Sequence, residues 1–231
     1  MNRTTPFLVT AAALLLTACA SGPQPADWQV EAKEAMDRSV AAYLEGNSRV
    51  EQAELTRARA ALSSTGRADL LANAELLHCA SRVASLVFEP CPAFDALRLD
   101  ATPPQRAYAD YLRGQLKVQD TALLPEAQRV AASGNAVAVA GVADPLSRLV
   151  ASGVLLRRGQ STVALAGTAV DTASSQGWRR PLLAWLKLQA DGAAQLGDSQ
   201  EAARLQRRIA LAEGAVTASP ISTVAKPTIS P

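Results

Sequence analysis

The 231-residue chain carries 23 Lys and Arg against 21 Asp and Glu, with one histidine and an aromatic content of 4%. A net charge of +2 over that length is too weak a field for nucleic-acid binding, and one histidine excludes any polyhistidine metal centre. A composition so rich in Ala and Leu favours closely packed helices over a sandwich, which leans on β-branched and aromatic residues.

At the N-terminus, Arg3 is the first charge, an apolar run extends from Phe7 to Leu16, and small residues follow at Ala18 and Ala20. This is the three-part layout of a secretory signal peptide. The stretch from Phe7 to Ala18 makes about 18 Å of helix, short of a bilayer core of roughly 30 Å. Leu16-Thr17-Ala18-Cys19 resembles the lipobox of bacterial lipoproteins. That resemblance implies cleavage after residue 18 and a lipid on Cys19, which becomes the mature N-terminus. With Ala20 rather than Asp next, it also implies the outer membrane of a Gram-negative envelope, with the chain facing the periplasm. A plain secreted chain that loses Cys19 with its signal peptide is the alternative.

Residues 19–26 read as a turn-rich tether, and the apolar spacing after it predicts an all-α domain over 27–213 of about eight or nine helices. The first helix is expected over about 27–45 and ends at Gly46-Asn47-Ser48. Ser48 and Glu51 have capping-box spacing at the head of a second, about 49–63. A third is expected from Ala68 to Val87, followed by a long ordered loop from Phe88 to Thr102. Pro103-Pro104 opens a helix to about Val118, and Pro125 starts another. Asn135 to Ala143 alternates like a strand without a partner strand, and is read as helix. Asp144-Pro145 is an N-cap followed by proline at the first helical position, and Arg157-Arg158-Gly159 sets cations and then glycine at the far end. Helices at about 161–174, 178–195 and 199–213 complete the domain. Residues 19–118 carry a net charge of −2 and 119–231 one of +3, and a division of the domain into 27–118 and 119–213 is one reading of the chain. Residues 214–231 hold three prolines and no helical apolar face, and read as a disordered tail.

Gly-polar-Ser turns recur at Gly46, Gly159 and Gly197. GDSQEAARLQRRIAL, from Gly197 on, resembles the turn and second helix of a tetratricopeptide repeat. In that family a glycine closes one helix, and a small residue five positions later admits the paired helix. Gly159 with Ala164 and Gly197 with Ala202 keep that interval; Gly46 does not, and the spacing from Gly159 to Gly197 is 38 rather than 34. The resemblance implies an antiparallel α-hairpin array; an irregular helical bundle is the alternative.

With Cys19 assigned to lipid, Cys79 and Cys91 remain as a pair in an oxidising compartment. The chain after Val87 spans about 13 Å, against about 12 Å from Cys79 to the expected helix end, so a disulfide is within reach. Leu70, Ala74 and Leu77 share one helical face, and Cys79, Val83 and Leu86 the opposite one, which the Phe88–Phe94 segment is placed to cover. His78 is expected to pack or hydrogen-bond rather than act as a base. No Walker loop, HExxH, GxSxG or Ca²⁺ loop is present, so neither cofactor nor metal is expected, and an enzyme is disfavoured. Glu75 and Glu89 are the conceivable carboxylate pair for glycoside cleavage. Tyr108 and Tyr111 share a helical face, as ligand shelf or as packing. Trp178, Arg179 and Arg180, with Trp185, form either a cationic aromatic recognition surface or core tryptophans with solvated arginines. These readings point to a non-enzymatic, lipid-anchored scaffold that binds a protein or peptide partner. A peptidoglycan-acting enzyme or its accessory factor, and a purely structural envelope protein, are the alternatives.

Overall fold

The computed structural model describes residues 25–214. Lipobox, lipidation site and C-terminal tail lie outside them. The described residues are all-helical, without a strand. In chain order they form α1 (Asp27–Glu45), α2 (Ser48–Ser63), α3 (Ala68–Ala84), α4 (Pro92–Leu97), α5 (Pro103–Leu112), a 3₁₀ helix (Val118–Leu123), α6 (Glu126–Ala132), α7 (Ala136–Val139), α8 (Pro145–Arg157), α9 (Val163–Ser175), α10 (Arg179–Gln195) and α11 (Ser199–Ala212).

Local chemistry sets the ends. Asn47, Thr102, Asp144, Thr162 and Asp198 each accept a hydrogen bond from the backbone N–H three residues on, satisfying a donor that the first turn leaves free. Gly46, at φ 95°, closes α1 in the left-handed region, where a side chain would be strained. Alpha-helix α3 stops at Ala84, three residues before the expected end at Val87. Leu86 there takes φ 60°, and the Val87 N–H folds back to the Arg82 carbonyl. Phe88–Thr102 is not one long loop: Pro92 opens the short α4, whose Phe94 is fully buried. The helix begun at Pro103 ends at Leu112 rather than Val118. Only Ala136–Val139 of the 135–143 segment is helical. These short pieces raise the helix total above the expected eight or nine.

Two separate apolar cores result. The larger runs from α3 to α11 and draws on both sides of residue 118, with Leu149, Val150 and Val154 of α8 at its centre. At Gly153 the helices α3 and α8 come so close that a Cβ would lie 2.4 Å from the Val83 carbonyl oxygen. The smaller core is built by the α1–α2 hairpin, and α3 adds Ala74 to it, with Leu70, Leu71 and Leu77 half-buried against it. The two faces of α3 expected from its sequence thus serve different cores. In α9, Ala166 and Ala169 take the buried positions while Ala164 is exposed, so the small residue that the repeat resemblance assigns to close approach faces outward here.

Candidate functional site

The outer face of α3 is the floor of a groove. One end, about 330 Å³, is walled by Trp28, Ala32 and Met36 of α1 and Leu62 of α2, over Leu70, Ala74 and Leu77. The other, about 490 Å³, is walled by Pro104, Gln105 and Tyr108 of α5 and by Leu123-Leu124-Pro125. Asn73 and Leu77 line both. At that midpoint the buried Gln105 donates from Nε2 to Asn73 Oδ1 and to the Asp69 carbonyl, each at 2.7 Å. That pair fixes the one polar spot on an otherwise apolar floor.

Tyr108 and Tyr111 stack with ring centroids 5.9 Å apart, but their roles diverge. Tyr108 is half-buried and lines the groove, where burial and then the neighbouring Asp144 charge push its phenol well above the ordinary range. Tyr111 is 1% exposed and donates to Gln128 Oε1 at 2.7 Å, so it is core.

Arg179 and Arg180 meet the end of α1. Arg180 lies 4.3 Å over the Tyr43 ring and donates to the Tyr43 carbonyl at 2.7 Å and to Ser48 Oγ at 2.8 Å. Arg179 packs its guanidinium beside Gly46. Trp178 packs half-buried against the main core, and Trp185 is fully buried, its indole donating to the Ala84 carbonyl at 3.1 Å. Other arginines do similar work. Arg157 donates to the Leu112 carbonyl and Arg158 to that of Ala132, at the last turns of α5 and α6. A cation there satisfies carbonyls that the helix cannot and opposes the negative end of its dipole.

Cys79 and Cys91 are disulfide-bonded, with Cα atoms 6.2 Å apart. The bond borders a cleft of about 490 Å³ that holds the most concentrated charge chemistry among the described residues. Arg59 of α2 grips Glu75 of α3 through two hydrogen bonds of 2.6 Å. Glu51 of α2 accepts from Arg82 of α3 at 3.0 Å. Both carboxylates belong to residues only 3% exposed. His78 Nε2 accepts from Arg82 Nε at 3.0 Å, and its Nδ1 lies 3.6 Å from Glu51. That arrangement requires a neutral ring with its proton on Nδ1. Burial, and then the Arg82 charge, hold the imidazole pKa down to about 4. Composition alone gave no sign of this cluster: Glu51 read as a capping residue, and nothing in the sequence singled out Arg59 or Arg82. The sequence signal available was Glu75, Cys79 and Arg82 at helical spacing around the sole histidine. Glu89, paired with Glu75 in the sequence reading, is exposed on the cleft's edge, while Glu75 is occupied by Arg59.

Compared with family models, curated proteins and solved structures, the chain matches none. No group of three or more His, Cys, Asp or Glu side chains among the described residues is arranged to hold a metal ion. None of their helices is long and apolar enough to cross a membrane.

Proposed function

We propose that the chain is a lipid-anchored module of the outer membrane, held by Cys19 and facing the periplasm, that binds an envelope protein or peptide in the groove across α3. The groove carries this reading: a concave apolar floor with an aromatic wall at each end, Trp28 and Tyr108, and a fixed amide pair between them. Apolar clefts with a few convergent polar groups are the common form of binding sites. The anchor rests on the lipobox and on distance. Asp27 lies eight positions after Cys19, so α1 and the Trp28 end of the groove would stand within about 28 Å of the lipid.

The enzyme alternative draws less support. Glu51 and Glu75 are the buried carboxylates of the cleft, and each is engaged by an arginine that also fixes its position. Neither is placed as a free acid facing a base.

Two experiments test the reading. Palmitate labelling beside Cys19→Ala should show label on the wild type alone; an unlabelled wild type overturns the anchor. A photoreactive residue at Asn73 should capture one protein in cells, and Leu77→Glu should abolish that capture. Capture indifferent to Leu77→Glu, or none, overturns the groove.

A further inference from the structure

The α1–α2 hairpin is joined to the rest of the fold in an unusual way. Its own apolar core is separate from the main one, and α3 supplies a single fully buried side chain, Ala74, to it. Beyond Ala74 and the half-buried Leu70, Leu71 and Leu77, polar fasteners cross the junction. Arg59 with Glu75 and Glu51 with Arg82 cross from α2 to α3. Tyr43 of α1 sits between two guanidinium groups, Arg82 at 5.0 Å and Arg180 at 4.3 Å. Arg180 also reaches from α10 to the α1–α2 turn.

We propose that this hairpin is a detachable wall of the groove, held by the Glu51–His78–Arg82 cluster and released in acid. The inference rests on the groove's being the binding site, since release would carry away Trp28, Ala32, Met36 and Leu62, and it assigns that site a means of regulation. The geometry supplies the trigger. His78 Nε2 is the acceptor for Arg82 Nε at 3.0 Å, so a protonated ring would set two cationic donors against each other at hydrogen-bond distance. The second ring nitrogen faces Glu51 at 3.6 Å, the same carboxylate that accepts from Arg82. The charged groups facing the ring are Glu51 and Arg59 from α2 and Glu75 and Arg82 from α3. Tyr43 adds its π-face from α1 through Arg82, and Glu89 lines the same cleft from the 85–91 segment.

The sign follows from linkage. Latched, the ring stays neutral down to about pH 4; released, it would take a proton near its ordinary value of 6.5. Opening is therefore favoured progressively as pH falls through that window, by up to about tenfold per pH unit.

Hydrogen exchange of the whole mature chain, with the intrinsic pH effect removed, tests this without any partner. Residues 27–63 should open at least tenfold more at pH 5 than at pH 7, while α8 and α10 keep their protection. His78→Gln, which retains an acceptor for Arg82 and cannot titrate, should flatten that response. Exchange that rises together in 27–63 and α8, or stays constant with pH in the wild type, overturns the latch. So does a pH response that survives in His78→Gln. Because the wild-type contrast stands alone, a variant that failed to fold would leave the inference testable. A latch that fails while Asn73 still captures a partner leaves the proposed function intact.

Discussion

Gly153→Ala is expected to be destabilising although the backbone is helical and alanine is the better helix former. A Cβ at this position would lie 2.4 Å from the Val83 carbonyl oxygen and 3.0 Å from Val83 Cγ1. Ordinary contact begins near 3.4 Å, so α3 and α8 would have to part by about 1 Å. Neither can yield cheaply. Leu149, Val150 and Val154 on α8 are buried to 1% exposure or less, and the Ala84 carbonyl beside the contact is held by the Trp185 indole. Overpacking of this kind costs about 3 kcal/mol, against a helix-propensity gain of about 1 kcal/mol, for a net loss of about 2 kcal/mol. A domain of this size should then melt roughly 5 °C lower. Gly192→Ala is the matched control: it is also helical, its Cβ meets nothing within 4 Å, and it should stabilise by about 0.5–1 kcal/mol. Denaturant unfolding of the two variants measures both signs. Stability of Gly153→Ala within 0.5 kcal/mol of wild type, or the same sign for both glycines, would refute the close-approach argument.

Trp185→Phe removes the indole N–H and leaves the Ala84 carbonyl buried without its partner, which should lower unfolding stability by about 2 kcal/mol, read from the denaturant midpoint. Opening the Cys79–Cys91 bond, by reduction or by Cys79→Ala with Cys91→Ala, should cost on the order of 3 kcal/mol for a separation of 12 residues, and mass mapping under non-reducing conditions should find no free thiol at either position in protein isolated without reductant. Global stability should also fall on acidification. His78 is neutral in the fold to about pH 4 and takes a proton near 6.5 when unfolded, so its contribution is complete above about 6.5 and lost as pH drops toward 4. At about 1.4 kcal/mol per pH unit the full window is about 3 kcal/mol, reduced to about 2 kcal/mol by partial access of water. Urea titrations of wild type and His78→Gln should diverge in that interval; parallel curves would sink the assignment.

What the sequence determined by itself was mostly local. Thr102 with Pro103, Asp144 with Pro145, and the glycines at 46, 159 and 197 mark helix ends, because capping and left-handed closure act within a turn of the chain. Cys79 and Cys91 were matched for the same reason: one helix end and one short segment bound their separation. The short α4 and the 3₁₀ helix escaped that logic, since six-residue pieces hold too few periodic positions to show a face, and the buried Phe94 acquires its meaning from the core it enters. Only the tertiary structure decided which arginine serves which partner. Arg180 reaches Tyr43 across 137 positions, and Arg82 reaches Glu51 across 31, and no periodicity encodes a pairing between helices. The groove is likewise a property of assembly. Trp28, Leu77 and Tyr108 are ordinary amphipathic residues on three separate helices until α3 packs its other face into the main core and leaves this one between two walls.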